Sequence, residues 1–124
     1  DFTNLSISGS FKFPRAIQWD GTYLAVLGGR FSGKHSDPLV YRVAFSGSTG
    51  TIVGKQTKFK GLLHLAGGAF WIRGNTVLLR LGLTKALGPE VGVYKYPGGG
   101  NPTATIPTGD ALNFAFTVSV QPSR

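Results

Sequence analysis

Apolar residues along this chain occur in short runs of about five to eight residues, not at helical spacing. No window of eleven or more residues keeps apolar side chains at i, i+3, i+4 and i+7 without an intervening glycine or proline. The runs are rich in β-branched and aromatic residues, and Gly, Pro, Asn, Asp and Ser separate them, as in strands joined by turns. This pattern predicts an all-β protein. The predicted strands span residues 5–11, 16–19, 22–27, 39–45, 51–55, 62–65, 69–72, 76–81, 91–96, 103–106 and 112–120.

Two dipeptides predict tight hairpins. Asp20-Gly21 lies between two apolar runs, and Gly74-Asn75 lies between two more. Both match the residue preference of two-residue type I′ turns, in which both central residues have positive φ.

The strand pattern repeats along the chain. Residues 13–26 resemble residues 59–72, so that Tyr23 and Phe70 correspond at a step of 47, and a weaker copy ends the chain. Tyr41 and Tyr94 correspond at a step of 53. A strand-built unit of this length fits a four-stranded propeller blade, for which repeats run to about 40–50 residues.

We therefore predict one all-β domain of antiparallel β-meander repeats over residues 1–124. Residues 1–13 supply an outer strand of a preceding unit, 14–61 the first repeat, 62–109 the second repeat, and 110–124 a terminal strand. The prediction amounts to about two propeller-type blades with extra terminal strands. A compact β-sandwich is the alternative.

Four segments carry a resemblance to a known family. They are WDGTYLAV at 19–26, YRVAFSGSTGTIVG at 41–54, FWI at 70–72 and VYKYPGGG at 93–100. They resemble the repeats of bacterial NHL-like or YVTN-like β-propeller proteins. The resemblance implies a secreted protein, extracellular or in the cell envelope, with a non-catalytic binding or scaffold role. Lactonase-like enzymes are distant relatives, so a fragment of such an enzyme is an alternative; no catalytic residue is carried over, because only structural motifs match.

The number of repeats predicts a partner. Propellers have about four to eight blades, and two blades alone would leave strand edges and an apolar face uncovered. We expect further blades of the same protein or a homo-oligomer to complete the structure. A self-assembling ring or filament subunit is therefore an alternative function.

The charge balance predicts a ligand class. Thirteen Lys and Arg against five Asp and Glu give a formal charge of +8, which favours a polyanion, and a glycan is the other predicted ligand class. Lys55 to Lys60 form the tightest basic cluster, and a second group falls in a predicted long Gly-rich loop. The candidate binding residues are Arg30, Lys34, His35, Lys55, Lys58 and Lys60. The competing interpretation is a solvated sheet edge, where lysine discourages unwanted strand pairing.

The sequence predicts no catalytic residue, no metal site and no cofactor. There is no cysteine, and the two histidines, His35 and His64, have no further ligands at metal-binding spacing. Gly28 to Lys34 fits G-x4-G-K, but His35 replaces the Ser or Thr of a phosphate loop and a predicted strand replaces its helix. All apolar runs are far shorter than the ~18 residues of a transmembrane helix.

Aromatic residues recur at equivalent places in the repeats. For these we predict packing between blades in preference to stacking on sugars or bases. The residues are Trp19, Tyr23, Phe70, Trp71, Tyr94 and Tyr96.

Overall fold

The computed structural model describes residues 6–9, 14–32, 35–60, 70–84 and 88–107. Every regular element in these ranges is a β-strand, so the all-β prediction is confirmed. The strands are β1 (Ser6–Ser8), β2 (Ala16–Trp19), β3 (Leu24–Ser32), β4 (His35–Ser46), β5 (Thr49–Lys58), β6 (Phe70–Arg73), β7 (Thr76–Thr84), β8 (Gly88–Lys95) and β9 (Ala104–Pro107). The predicted strands at 62–65 and 112–120 lie outside the described residues.

The strands form two antiparallel meanders. The first sheet has the order β1-β5-β4-β3-β2, in which β2 to β5 are antiparallel neighbours and β1 adds to β5 in parallel. The second sheet has the order β6-β7-β8-β9 and is antiparallel throughout. Each predicted repeat thus contains one four-stranded meander, while the boundaries of the repeats stay a prediction.

The hairpin β3–β4 is longer than the sequence pattern indicates. Its register runs without interruption from Leu24 opposite Val43 to Ser32 opposite His35. The prediction of a long loop from Gly28 to His35 is therefore wrong. Five of the nine consecutive cross-strand pairs of this hairpin lie in that segment, and such pairing outweighs the low strand propensity of its glycines.

The two predicted hairpins differ in outcome. Gly74-Asn75 does form a two-residue turn, between the paired residues Arg73 and Thr76. Its Gly74 has φ +57°, a conformation that favours glycine. This prediction is confirmed.

The first hairpin turns one residue later than predicted. The Asp20 N–H donates to the Tyr23 carbonyl oxygen at 2.9 Å, which places Gly21 and Thr22 at the centre of the turn. The Asp20 carboxylate accepts hydrogen bonds from the N–H groups of Thr22 and Tyr23. Asp20 therefore opens the turn, as Asx residues commonly do, and does not occupy its first central position.

An apolar core joins one face of each sheet. Its fully buried members include Leu27 and Val40 from the first sheet and Val77 and Leu79 from the second. Among the residues that the structure describes, the buried members are Ala25, Leu27, Val40, Phe59, Phe70, Ile72, Val77, Leu79, Tyr94 and Tyr96. Because strand residues alternate between faces, the other face of the first sheet carries a second cluster, formed by Val26, Tyr41 and Val43.

A side chain connects the edges of the two sheets. Gln18 on β2 donates from Nε2 to the Ile72 carbonyl oxygen at 2.8 Å, and the Ile72 N–H donates back to Gln18 Oε1 at 2.7 Å. The amide supplies both hydrogen bonds that a neighbouring strand would give to the outer edge of β6. It ties the sheets together and blocks that edge against another strand.

We expect Gln18→Leu to destabilise the protein. Leucine has a similar size but leaves both backbone groups of the buried Ile72 unpaired, at a cost of about 1–3 kcal/mol for each group. Gln56→Leu, at an exposed position of β5, is the matched control and should change the free energy of unfolding by less than about 0.5 kcal/mol. Urea unfolding measures both, and equal effects would contradict this role of Gln18.

Candidate functional site

The structure places five of the six predicted binding residues. Lys55 and Lys58 lie on β5 and Lys60 follows it, and all three side chains are exposed. Arg30 lies on β3 and His35 on β4, close to the tip of their hairpin. Lys34 lies outside the described residues.

The register brings part of this set to one end of the first sheet. Lys58 pairs with Leu39, which pairs in turn with Gly28, two residues before Arg30. Lys55 lies in a bulge of β5, where the register shifts opposite Tyr41. Bulges redirect side chains away from the regular alternation. Whether these residues bind one ligand together stays a prediction.

The end of β5 is fixed against the loop that follows β8. The Gly100 N–H donates to the Lys58 carbonyl oxygen at 2.9 Å, and the Lys60 N–H donates to the Gly100 carbonyl oxygen at 2.8 Å. Gly99 has φ +70°, and a Cβ there would collide with the Lys58 carbonyl oxygen. Glycine is therefore required where this loop meets the basic segment.

The best-connected polar group is one that the sequence did not single out as a site. The Asp20 carboxylate accepts four hydrogen bonds, two of them from the amides of its own turn at 2.9 and 2.7 Å. The other two reach Oδ2 from the Tyr96 hydroxyl at 2.6 Å and from Arg42 Nε at 3.1 Å. Arg42 also lies 4.4 Å above the ring centre of Tyr23. We call these residues, with Thr22, the Asp20 network.

The network keeps its carboxylate charged inside the protein. The Asp20 side chain is 1% exposed. Burial alone would raise the pKa of Asp20, but the hydrogen bonds from the Tyr96 hydroxyl, the two turn amides and the Arg42 guanidinium hold it below its ordinary value of 3.8. Burial, the hydrogen bond to Asp20 and its negative charge raise the pKa of Tyr96 well above 10.0. Burial also raises the pKa of Tyr94 to about 12.

The chemistry of the network is structural. Every hydrogen-bonding direction of the carboxylate is occupied by a donor of the chain. Since Tyr96 follows β8 and Asp20 follows β2, the network fastens the second sheet to the first turn of the first sheet. The sequence offered one signal for it, the Asp-Gly turn, but none for partners that lie 22 and 76 residues away.

The outer face of the second sheet carries a groove. Trp71 and Leu78 are half-buried in it, and Arg73 is exposed at its side. The Trp71 groove has a volume of about 500 Å³ and is lined by Trp71, Arg73, Gly74, Thr76 and Leu78. A neighbouring groove, the Lys95 groove, has a volume of about 530 Å³ and is lined by Asn75, Thr76, Lys95, Tyr96, Gly98 and Thr103.

The aromatic residues divide between packing and exposure. Phe70, Tyr94 and Tyr96 are buried in the core between the sheets, which agrees with the predicted packing role. Trp19 does not follow that prediction, because it is 59% exposed on the edge strand β2. Trp71 is half-buried and lines the groove.

The described ranges contain no group of three or more His, Asp or Glu side chains that could hold a metal ion. The same ranges contain no helix that is long and apolar enough to cross a membrane. The predicted strand carrying His64 lies outside them.

Comparison with known proteins gives no match to a protein-family model, a curated protein or a solved structure. The resemblance to NHL-like and YVTN-like propellers therefore stays a prediction.

We expect Asp20→Asn to remove an acid-sensitive part of the stability. A depressed folded-state pKa stabilises the protein above the ordinary value of 3.8, and this contribution is lost as the pH falls through the lower folded-state value. The variant should be less stable at neutral pH by about 2–3 kcal/mol, because the buried network loses its negative charge and one of its two acceptor oxygens. The difference in free energy of unfolding should shrink as the pH falls below about 4. Parallel pH profiles would contradict the network's role.

Proposed function

We propose that this chain is a non-catalytic binding module, a propeller-type stack of antiparallel meanders that presents a basic surface to an anionic polymer. The observation that carries the proposal is the distribution of charge. Where the structure describes side chains, Asp20 is the only acidic one, and it is buried and paired with Arg42. The exposed charged side chains in the same ranges are all basic, namely Arg15, Lys55, Lys58, Lys60, Arg73 and Lys95.

This arrangement favours an anionic partner for electrostatic reasons. The chain carries a formal charge of +8, and exposed cations add their fields over the surface. An anionic polymer that binds there releases its condensed counterions, so affinity should depend strongly on salt.

The scaffold part of the proposal rests on the stacked meanders. The Asp20 network and the Gln18 bridge each join the two sheets through buried hydrogen bonds. Rigid sheets of this kind hold surface side chains at fixed spacings. The blade-type architecture and an extracellular or cell-envelope location belong to the same proposal.

The test is binding of a sulfated polysaccharide at increasing salt, measured by titration calorimetry. The logarithm of the association constant should fall linearly with the logarithm of salt concentration, and replacing Lys55, Lys58 and Lys60 by Gln should weaken binding about tenfold and flatten the slope. The matched control replaces the same three lysines by Arg, which keeps the charge and should keep the affinity. Absent or salt-independent binding would remove the proposal.

A second candidate function is self-assembly into a ring or filament, favoured by two exposed apolar side chains. Ile17 is 68% exposed and Trp19 59% exposed on the edge strand β2, beside the second apolar cluster. Exposed apolar side chains on an edge strand commonly mark a contact with another chain. Light scattering should give an oligomer that Ile17→Lys dissociates, with Lys55→Gln as the control. A monomer at high concentration would exclude this candidate.

A further inference from the structure

We propose that the Trp71 groove, with the adjoining Lys95 groove, is a binding site for an acidic oligosaccharide. The inference rests on the proposed function and deepens it, since it names the class of anion and a site that does not include the six residues predicted from the sequence.

The sheet register builds the site from two rows on one face. Trp71, Leu78 and Val93 stand directly opposite one another on β6, β7 and β8, and form an apolar row of half-buried side chains. Two residues along each strand, on the same face, lie Arg73, Thr76 and Lys95. The site therefore has an apolar floor with a cationic border.

The two positive charges of the cationic border lie on strands that are not adjacent. Arg73 and Lys95 are both exposed, and half-buried Thr76 lies between them. With adjacent strands about 4.8 Å apart, their backbones are about 10 Å apart. This spacing suits a ligand whose anionic groups lie on separate units.

The apolar row favours a ligand that is built of sugar rings. The indole of Trp71 offers a flat apolar surface, on which the C–H face of a pyranose ring can pack. Thr76 and Asn75 offer hydroxyl and amide groups to sugar hydroxyls, and the Arg73 guanidinium matches the planar geometry of a carboxylate.

The alternative ligand, single-stranded nucleic acid, fits less well. Such strands are bound by successive aromatic platforms along a basic channel. Here one indole lies next to aliphatic side chains, and the other aromatic residue of the grooves, Tyr96, is buried with its hydroxyl on Asp20. The two grooves meet at Thr76. Each groove has the size of an ordinary ligand site, which is about 300–1,000 Å³. An acidic oligosaccharide of a few units uses all of these features.

The experiment exploits the two tryptophans of the chain, Trp19 and Trp71. In the full chain with Trp19→Phe, Trp71 is the single indole and its fluorescence reports binding directly. The probes are a tetrasaccharide of uronic acids, a neutral tetrasaccharide of glucose, and an oligothymidylate of similar length. We expect a saturable change in Trp71 emission with the uronate and none with the neutral sugar.

Two variants test the border without disturbing the floor. Arg73→Gln and Lys95→Gln change exposed side chains, and each should weaken uronate binding about tenfold, as expected for a lost charge-assisted hydrogen bond. Gln56→Ala, at an exposed position of the first sheet that has no role in the proposed binding, is the control and should bind the uronate like the parent protein. A Trp71→Ala protein, followed by calorimetry, should lose the remaining affinity.

The outcomes separate this inference from the proposed function. If polyanions bind but Trp71 emission stays constant, or if both border variants bind the uronate like the parent, the groove assignment is wrong and the basic surface stands. Equal binding of the neutral sugar, or stronger binding of oligothymidylate, also overturns the assignment. Absence of all polyanion binding would overturn both proposals.

Discussion

The buried carboxylate of Asp20 is the interaction on which the arrangement of the two sheets depends. A charge inside a protein is tolerated only when its hydrogen bonds are satisfied, and here four donors from three separate segments converge on one side chain. If the sheets slid relative to each other, the Tyr96 hydroxyl would leave the carboxylate. The cost of an unsatisfied buried charge therefore opposes sliding of one sheet against the other.

Further contacts between the sheets lie close to the Asp20 network in the chain. Tyr96 begins the loop that touches the end of β5, where the Thr57 hydroxyl donates to the Pro97 carbonyl oxygen at 2.8 Å and the Tyr94 hydroxyl donates to the Lys60 carbonyl oxygen at 3.0 Å. These two hydroxyls thus satisfy backbone carbonyl groups that lie outside the strands. These hydrogen bonds hold the backbone that carries the exposed lysines of the same segment. A backbone that is already ordered loses less conformational entropy when a ligand binds.

The sequence predicts local features better than distant ones, for physical reasons. Ala16–Trp19 and the Gly74-Asn75 turn depend on neighbouring residues, and the structure has both as predicted. Tyr41 and Tyr94, which correspond in the predicted repeat, are both almost fully buried, but Tyr94 lies in the core between the sheets and Tyr41 in the second cluster. The extent of β3–β4 was underestimated because cross-strand pairing, not local propensity, holds its glycines. The Asp20 network and the Trp71 groove were not predicted, because each joins residues whose proximity arises only from register and sheet packing.

The parallel pairing of β1 with β5 has a consequence for synthesis on the ribosome. Ser6 on β1 pairs with Thr49 on β5. Because β2, β3 and β4 lie between these two strands in the chain, all three leave the ribosome before β5 does. The Ser8 hydroxyl likewise donates a hydrogen bond to the carbonyl oxygen of Gly50, which lies 42 residues later in the chain. Of the strands that the structure describes in this sheet, the one translated earliest therefore gains its neighbour only when β5 has left the exit tunnel.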